Sequence, residues 1–80
     1  MVAAFVLIQI AGLGGSTDAR TLHGALHAVP GVKTVHFVAG PTDVFAFIEV
    51  ADQTALMEAL GKIRGTKGVA STDTRMVLPV

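Results

Sequence analysis

The sequence contains no cysteine, no tryptophan and no tyrosine. Disulfides, thiolate nucleophiles and cysteine-ligated metals are therefore excluded. No sign of charge dominates: six basic and six acidic residues give a formal net charge of zero. The charges are scattered and form no basic stripe, so nucleic acid is not expected as a direct partner. A membrane-spanning run is lacking too. The most apolar stretch, "MVAAFVLIQIAGLGG", is interrupted by Gln9, is too short to span a bilayer and lacks the positive start of a signal peptide. These absences predict a cytoplasmic protein without a membrane partner.

What is present is aliphatic. Hydrophobic residues make up 51% of the 80 positions, mostly Val, Ala and Leu. The length predicts one domain, residues 1–80. A chain of this size buries only about 60% of its unfolded surface, so a lone copy is marginal. The surplus of apolar side chains points to self-association.

Hydrophobic patterning gives the order of elements. "VAAFVLIQI", residues 2–10, is apolar on both faces, as a central strand covered on both sides would be. "GLGG" breaks it, and Ser16, Thr17 and Asp18 offer helix N-caps. Ala19, Leu22, Leu26 and Val29 then recur at helical spacing until Pro30 and Gly31. "VKTVHFVA", residues 32–39, is a second strand. Gly40-Pro41-Thr42-Asp43 fits a type I turn, and "VFAFIEV", residues 44–50, is a third strand. Asp52 caps a second helix with the apolar stripe Leu56, Ala59, Leu60 and Ile63, ended by Gly65. A last strand runs from about Val69 to Val80. The order βαββαβ, with right-handed crossovers, predicts an α+β, ferredoxin-like fold: an antiparallel sheet with both helices on one face. The bare face is too apolar to meet water. Its economical cover is the same face of a second copy, a dimer through the sheet faces.

Most candidate sites are weak. "GLGGSTD" matches a dinucleotide fingerprint at Gly12 and Gly14, but Thr17 stands at the third glycine, and the next strand lacks the acidic residue that holds a ribose. His23 and His27 are four apart on one helix, which supplies no further ligand, and His36 lies on a strand. No metal site and no cofactor are expected. No catalytic triad or carboxylate dyad stands out, so no enzyme activity is expected. In "STDTRM", Thr72 and Thr74 share one face of an extended strand, and Ser71, Asp73 and Arg75 the other. On physics alone this is a polar edge strand. Asp43 is ambiguous: it suits a turn, yet Asn would serve almost equally.

Two segments together, "GVKTVHFVAGPTDVFAFIEVAD" and "GVASTDTRMVL", resemble the C-terminal effector-binding (RAM) domain of the Lrp/AsnC transcription regulators. The resemblance covers essentially the whole chain, which starts directly at strand one and so looks like a stand-alone form without the helix-turn-helix. It implies a βαββαβ fold, sheet-to-sheet dimers and further assembly into rings, commonly tetramers of dimers. It also implies an amino acid or similar small effector bound between dimers. Carried over by motif, the pocket residues are Gly40, Asp43, Thr72 and Thr74. Asp43 would accept from an ammonium group, the threonines would bind the carboxylate or side chain, and Gly40 would let the backbone approach closely. Stand-alone members either bind effectors alone or co-assemble with full-length relatives. Two other readings compete. One is an ACT-like regulatory domain, which pairs sheets edge to edge. The other is a small dimeric ferredoxin-like monooxygenase or isomerase, whose cavity would need polar residues that these aliphatic strands lack.

Overall fold

In the first strand, Val2–Ile10 (β1), burial alternates: Ala4, Val6 and Ile8 are fully buried and the residues between them are not. A computed structural model describes residues 1–11, 18–39 and 43–79 of the chain. After β1 come a helix, Ala19–His27 (α1), and two strands, Val32–Phe37 (β2) and Val44–Val50 (β3). A second helix, Gln53–Arg64 (α2), leads to the last strand, Val69–Met76 (β4). All pairings are antiparallel and the sheet order is β2-β3-β1-β4. This is the expected ferredoxin-like βαββαβ arrangement.

Both helices start where a short carboxylate can cap them. Asp18 accepts from the Thr21 amide (2.7 Å) and Asp52 from the Ala55 amide (2.8 Å), each satisfying a donor the helix leaves open. The bond from Thr21 holds the Asp18 carboxyl below its usual range. Leu22 and Leu26 of α1, with Leu56, Ala59, Leu60 and Ile63 of α2, form the buried stripes. They meet Ala4, Val6 and Ile8 of β1 and Val44, Ala46 and Ile48 of β3 in one core. Both helices thus lie on the same side of the sheet, α1 over β2 and α2 over β3 and β4.

The other side of the sheet carries Phe5 and Leu7 of β1 with Phe45 and Phe47 of β3. Phe5 and Phe47 are directly paired, with ring centroids 4.9 Å apart. Phe5 is 46% exposed and Phe45 36%. The central strands are therefore covered on one side within the chain and apolar but open on the other.

Two boundaries differ from the sequence reading. β2 stops at Phe37, because the Val38 amide turns to donate to the Asp43 carbonyl (2.9 Å) and closes the hairpin. β4 stops at Met76 rather than Val80. Val77 still donates to the Ala3 carbonyl (3.0 Å), but Pro79 has no N–H to continue a ladder. The turn proposed at Gly40-Pro41-Thr42 and the "GLGGST" segment lie outside the described residues. Among the described residues no helix is long and apolar enough to cross a membrane.

Candidate functional site

Asp43 is fixed by bonds to both neighbouring strands. Its amide donates to the Ile8 carbonyl (3.2 Å), and its carbonyl closes the β2–β3 hairpin. Its side chain does something that no turn requires: Oδ2 accepts from the Ile10 amide (3.2 Å), thirty-three residues away. The ladder between β1 and β4 shifts between Gln9 and Ile10, and there the carboxylate takes a backbone donor near the end of the strand. Oδ1 has no partner among the described residues. Asp43 is half-buried.

Thr72 and Thr74 do share one face, and register identifies it. They pair directly with Ile8 and Val6, two core residues, so their side chains stand on the helix side of the edge strand β4. Arg64, at the end of α2, donates from Nε to Thr72 Oγ1 (3.3 Å). Thr74 Oγ1 is buried and has no hydrogen-bond partner among the described residues. Ser71, Asp73 and Arg75 are on the open face, opposite Gln9, Leu7 and Phe5. Ser71 donates to Gln9 Oε1 (3.1 Å). Arg75 bonds Asp73 Oδ2 (2.8 Å), which lowers the Asp73 carboxyl from its ordinary value and raises the guanidinium. Both side chains are well exposed, so the pair adds little stability.

Asp43 and Thr72 sit on opposite flanks of β1. Val44, Ile8 and Thr72 form one row across the sheet, so the two candidates are separated by two interstrand spacings, roughly 10 Å. One protomer therefore presents them at the same end of the sheet without enclosing a ligand between them. Gly40 lies outside the described residues. Sequence reading missed two contacts, Ile10 with Asp43 and Arg64 with Thr72. Both join segments distant in sequence or in different elements, where periodicity carries no signal.

The histidines have structural surroundings. His23 donates from Nε2 to the Val35 carbonyl on the edge strand β2 (3.2 Å) and stacks near His27, with centroids 5.8 Å apart. His36 pairs with Phe45 on the open face. Among the described residues no group of three or more His, Asp or Glu is placed to hold a metal ion.

The Lrp/AsnC ligand-binding domain model matches residues 3–79. The chain also superposes on a protein of Thermus thermophilus, TTHA0845, with TM-score 0.84 and 30% identity, over 100% of this chain and 96% of that one. A feast or famine regulatory protein of M. tuberculosis, in complex with L-methionine, gives TM-score 0.78 and 25% identity. That match covers 100% of this chain but 52% of the longer regulator. Homocitrate synthase of Sulfurisphaera tokodaii is 40% identical over 53 residues, 66% of this chain and only 12% of the enzyme. A four-stranded antiparallel sheet backed by two helices, matched over almost its whole length, places this chain in the Lrp/AsnC ligand-binding domain family.

Proposed function

We propose that this chain is an effector-binding and oligomerisation module that carries no catalysis. Copies pair through the open sheet face, dimers join into a ring, and a small amino acid binds where dimers meet. The observation that carries this reading is Asp43: one carboxylate oxygen is tied to the Ile10 amide, and the other has no partner among the described residues. A carboxylate held this way loses little freedom when an ammonium group arrives, and a charge-assisted bond contributes about 1.5–3 kcal/mol. Thr72, braced by Arg64, and its same-face neighbour Thr74 supply the second half of the pocket from the facing dimer. The L-methionine complex of the M. tuberculosis relative supports an amino acid as the ligand class.

A screen of the common amino acids by thermal shift is the entry experiment. A ligand at a hundred times its Kd adds about 2.7 kcal/mol of stability. The decisive comparison is Asp43→Asn by titration calorimetry with the ligand found. Asn keeps an oxygen that can accept from Ile10, so fold and dimer are retained. It loses the charge, and affinity should fall at least about tenfold, equivalent to roughly 1.4 kcal/mol. Unchanged affinity in a folded variant would make Asp43 purely a strut.

A second partner class has its own support. The segment shared with homocitrate synthase is a small fraction of that enzyme, in keeping with a regulatory unit attached to a catalyst. We therefore include biosynthetic enzymes, beside full-length Lrp/AsnC relatives, among proteins this module would serve. Co-purification that depends on the amino acid ligand would tell the two classes apart.

A further inference from the structure

Away from Asp43, a groove of about 350 Å³ opens between the α1–β2 turn, the end of β3 and one side of α2. It lies at the far end of β3, seven residues or roughly 20 Å along the strand from Asp43. Gly31, Ala55 and Ala59 line it with almost no side chain, which is why the turn and the helix leave a gap. Ala59 is buried and Val50 half-buried, so the floor is apolar. Lys33, Glu58 and Lys62 also line the groove and are exposed, and Glu49 lines it half-buried.

These charges are uncommitted. Glu58 and Lys62 stand i,i+4 on α2, a spacing that permits an ion pair. Yet the ion pair found among the described residues is Asp73 with Arg75, and none of the groove's charges takes part in one. Two cations, Lys33 and Lys62, and two anions, Glu49 and Glu58, around a small apolar floor offer partners for both ends of a zwitterion with a short hydrocarbon side chain. The volume sits at the low end for small-molecule sites, which suits a ligand of amino-acid size.

We propose that this groove is a second, self-contained site for an α-amino acid with a small aliphatic side chain. Lys33 and Lys62 take the carboxylate, Glu58 takes the ammonium, and the side chain lies over Val50, Ala55 and Ala59. Every wall comes from one protomer, so the site works independently of how copies assemble. It does not rest on the role assigned to Asp43.

The test is an NMR titration of the ¹⁵N-labelled full chain with L-alanine and L-valine, carried to tens of millimolar. Saturable shifts are expected at the amides of Gly31, Val50 and Ala55. Propionate, which lacks the ammonium, and ethylamine, which lacks the carboxylate, should bind at least tenfold more weakly than L-alanine. The surface double variant Lys33→Met/Lys62→Met should weaken binding at least tenfold, and Ala55→Leu should fill the groove and abolish it. Shifts at Ile10 and Asp43, where they occur, should survive both variants. Three results would overturn the proposal: no saturable shift in the groove, propionate binding as tightly as L-alanine, or full affinity in the double variant. Shifts confined to Ile10 and Asp43 would also overturn it, while leaving the inter-dimer pocket standing. Should Ala55→Leu disturb the fold, the double variant decides alone, because both of its positions are exposed.

Discussion

Phe5→Glu should leave the chain monomeric at concentrations where the proposed sheet-to-sheet dimer forms. Phe5 sits at the centre of the open sheet face, paired with Phe47 and flanked by Leu7 and Phe45. Each such side chain gains about 1.5–3 kcal/mol when it leaves water, and a partner sheet would cover several together. The cation nearest to a carboxylate placed there is Arg75, directly opposite Phe5 on the edge strand β4, and that guanidinium is already paired with Asp73. Burying the new charge would cost several kcal/mol, so the dimer Kd should rise at least about a hundredfold, equivalent to roughly 2.7 kcal/mol. The side chain points away from Ala4, Val6 and Ile8, so the core stays intact. Sedimentation velocity at micromolar concentration, beside circular dichroism, makes the measurement. A wild-type chain that sediments as a monomer with a native spectrum would defeat the idea, as would an unchanged mass in the variant. Because a free protomer of this size is only marginally stable, the melting temperature of the variant should also fall.

The same face shows how far the sequence could be read. Continuous apolarity in "VAAFVLIQI" and "VFAFIEV" says that both sides of β1 and β3 need cover. It does not say what provides it. The fold puts helices over Ala4, Val6 and Ile8 and leaves Phe5 and Leu7 uncovered within the chain. Helix α2 was more legible. The stripe Leu56, Ala59, Leu60 and Ile63 is buried at every position, and Asp52 caps where a short acceptor precedes a helical period. Local chemistry of this kind is written in neighbouring residues.

The candidate site was harder, because its parts are joined by register rather than by spacing. Period two puts Thr72 and Thr74 on one face, but only the pairing of Thr72 with Ile8 says that this face meets the helices. Asp43 is ambiguous in the sequence because its use lies thirty-three residues back, at Ile10. The groove beside α2 draws on three separate segments, and no motif marks it. Composition could supply the small residues and the charges, but only the fold brings them together.

A similar contrast between local and long-range constraint separates the glycines and gives the second large effect. Gly31→Ala should destabilise the protein by about 2–6 kcal/mol. Gly31 has φ +97°, a region where an L side chain strains the backbone by about 1–3 kcal/mol. A Cβ there would also lie 2.4 Å from Val50 Cγ1, so Val50 must move. Valine is stiff at χ1, and overpacking of this kind adds about 1–3 kcal/mol. The position cannot easily slide away, because the Gly31 carbonyl accepts from the Glu49 amide (2.9 Å) and holds the turn against β3. Total stability for this length is roughly 4–12 kcal/mol, so the loss is a large share of it. The melting temperature should drop by about 10–20 °C or more. Gly61→Ala is the matched control. It lies inside α2 with nothing within 4 Å of the added methyl, so it should gain about 0.5–1 kcal/mol from helix propensity. Urea unfolding of both variants at one protein concentration compares them directly. Opposite signs are expected, and a Gly31→Ala protein as stable as Gly61→Ala would mean that the α1–β2 turn adopts another conformation in solution.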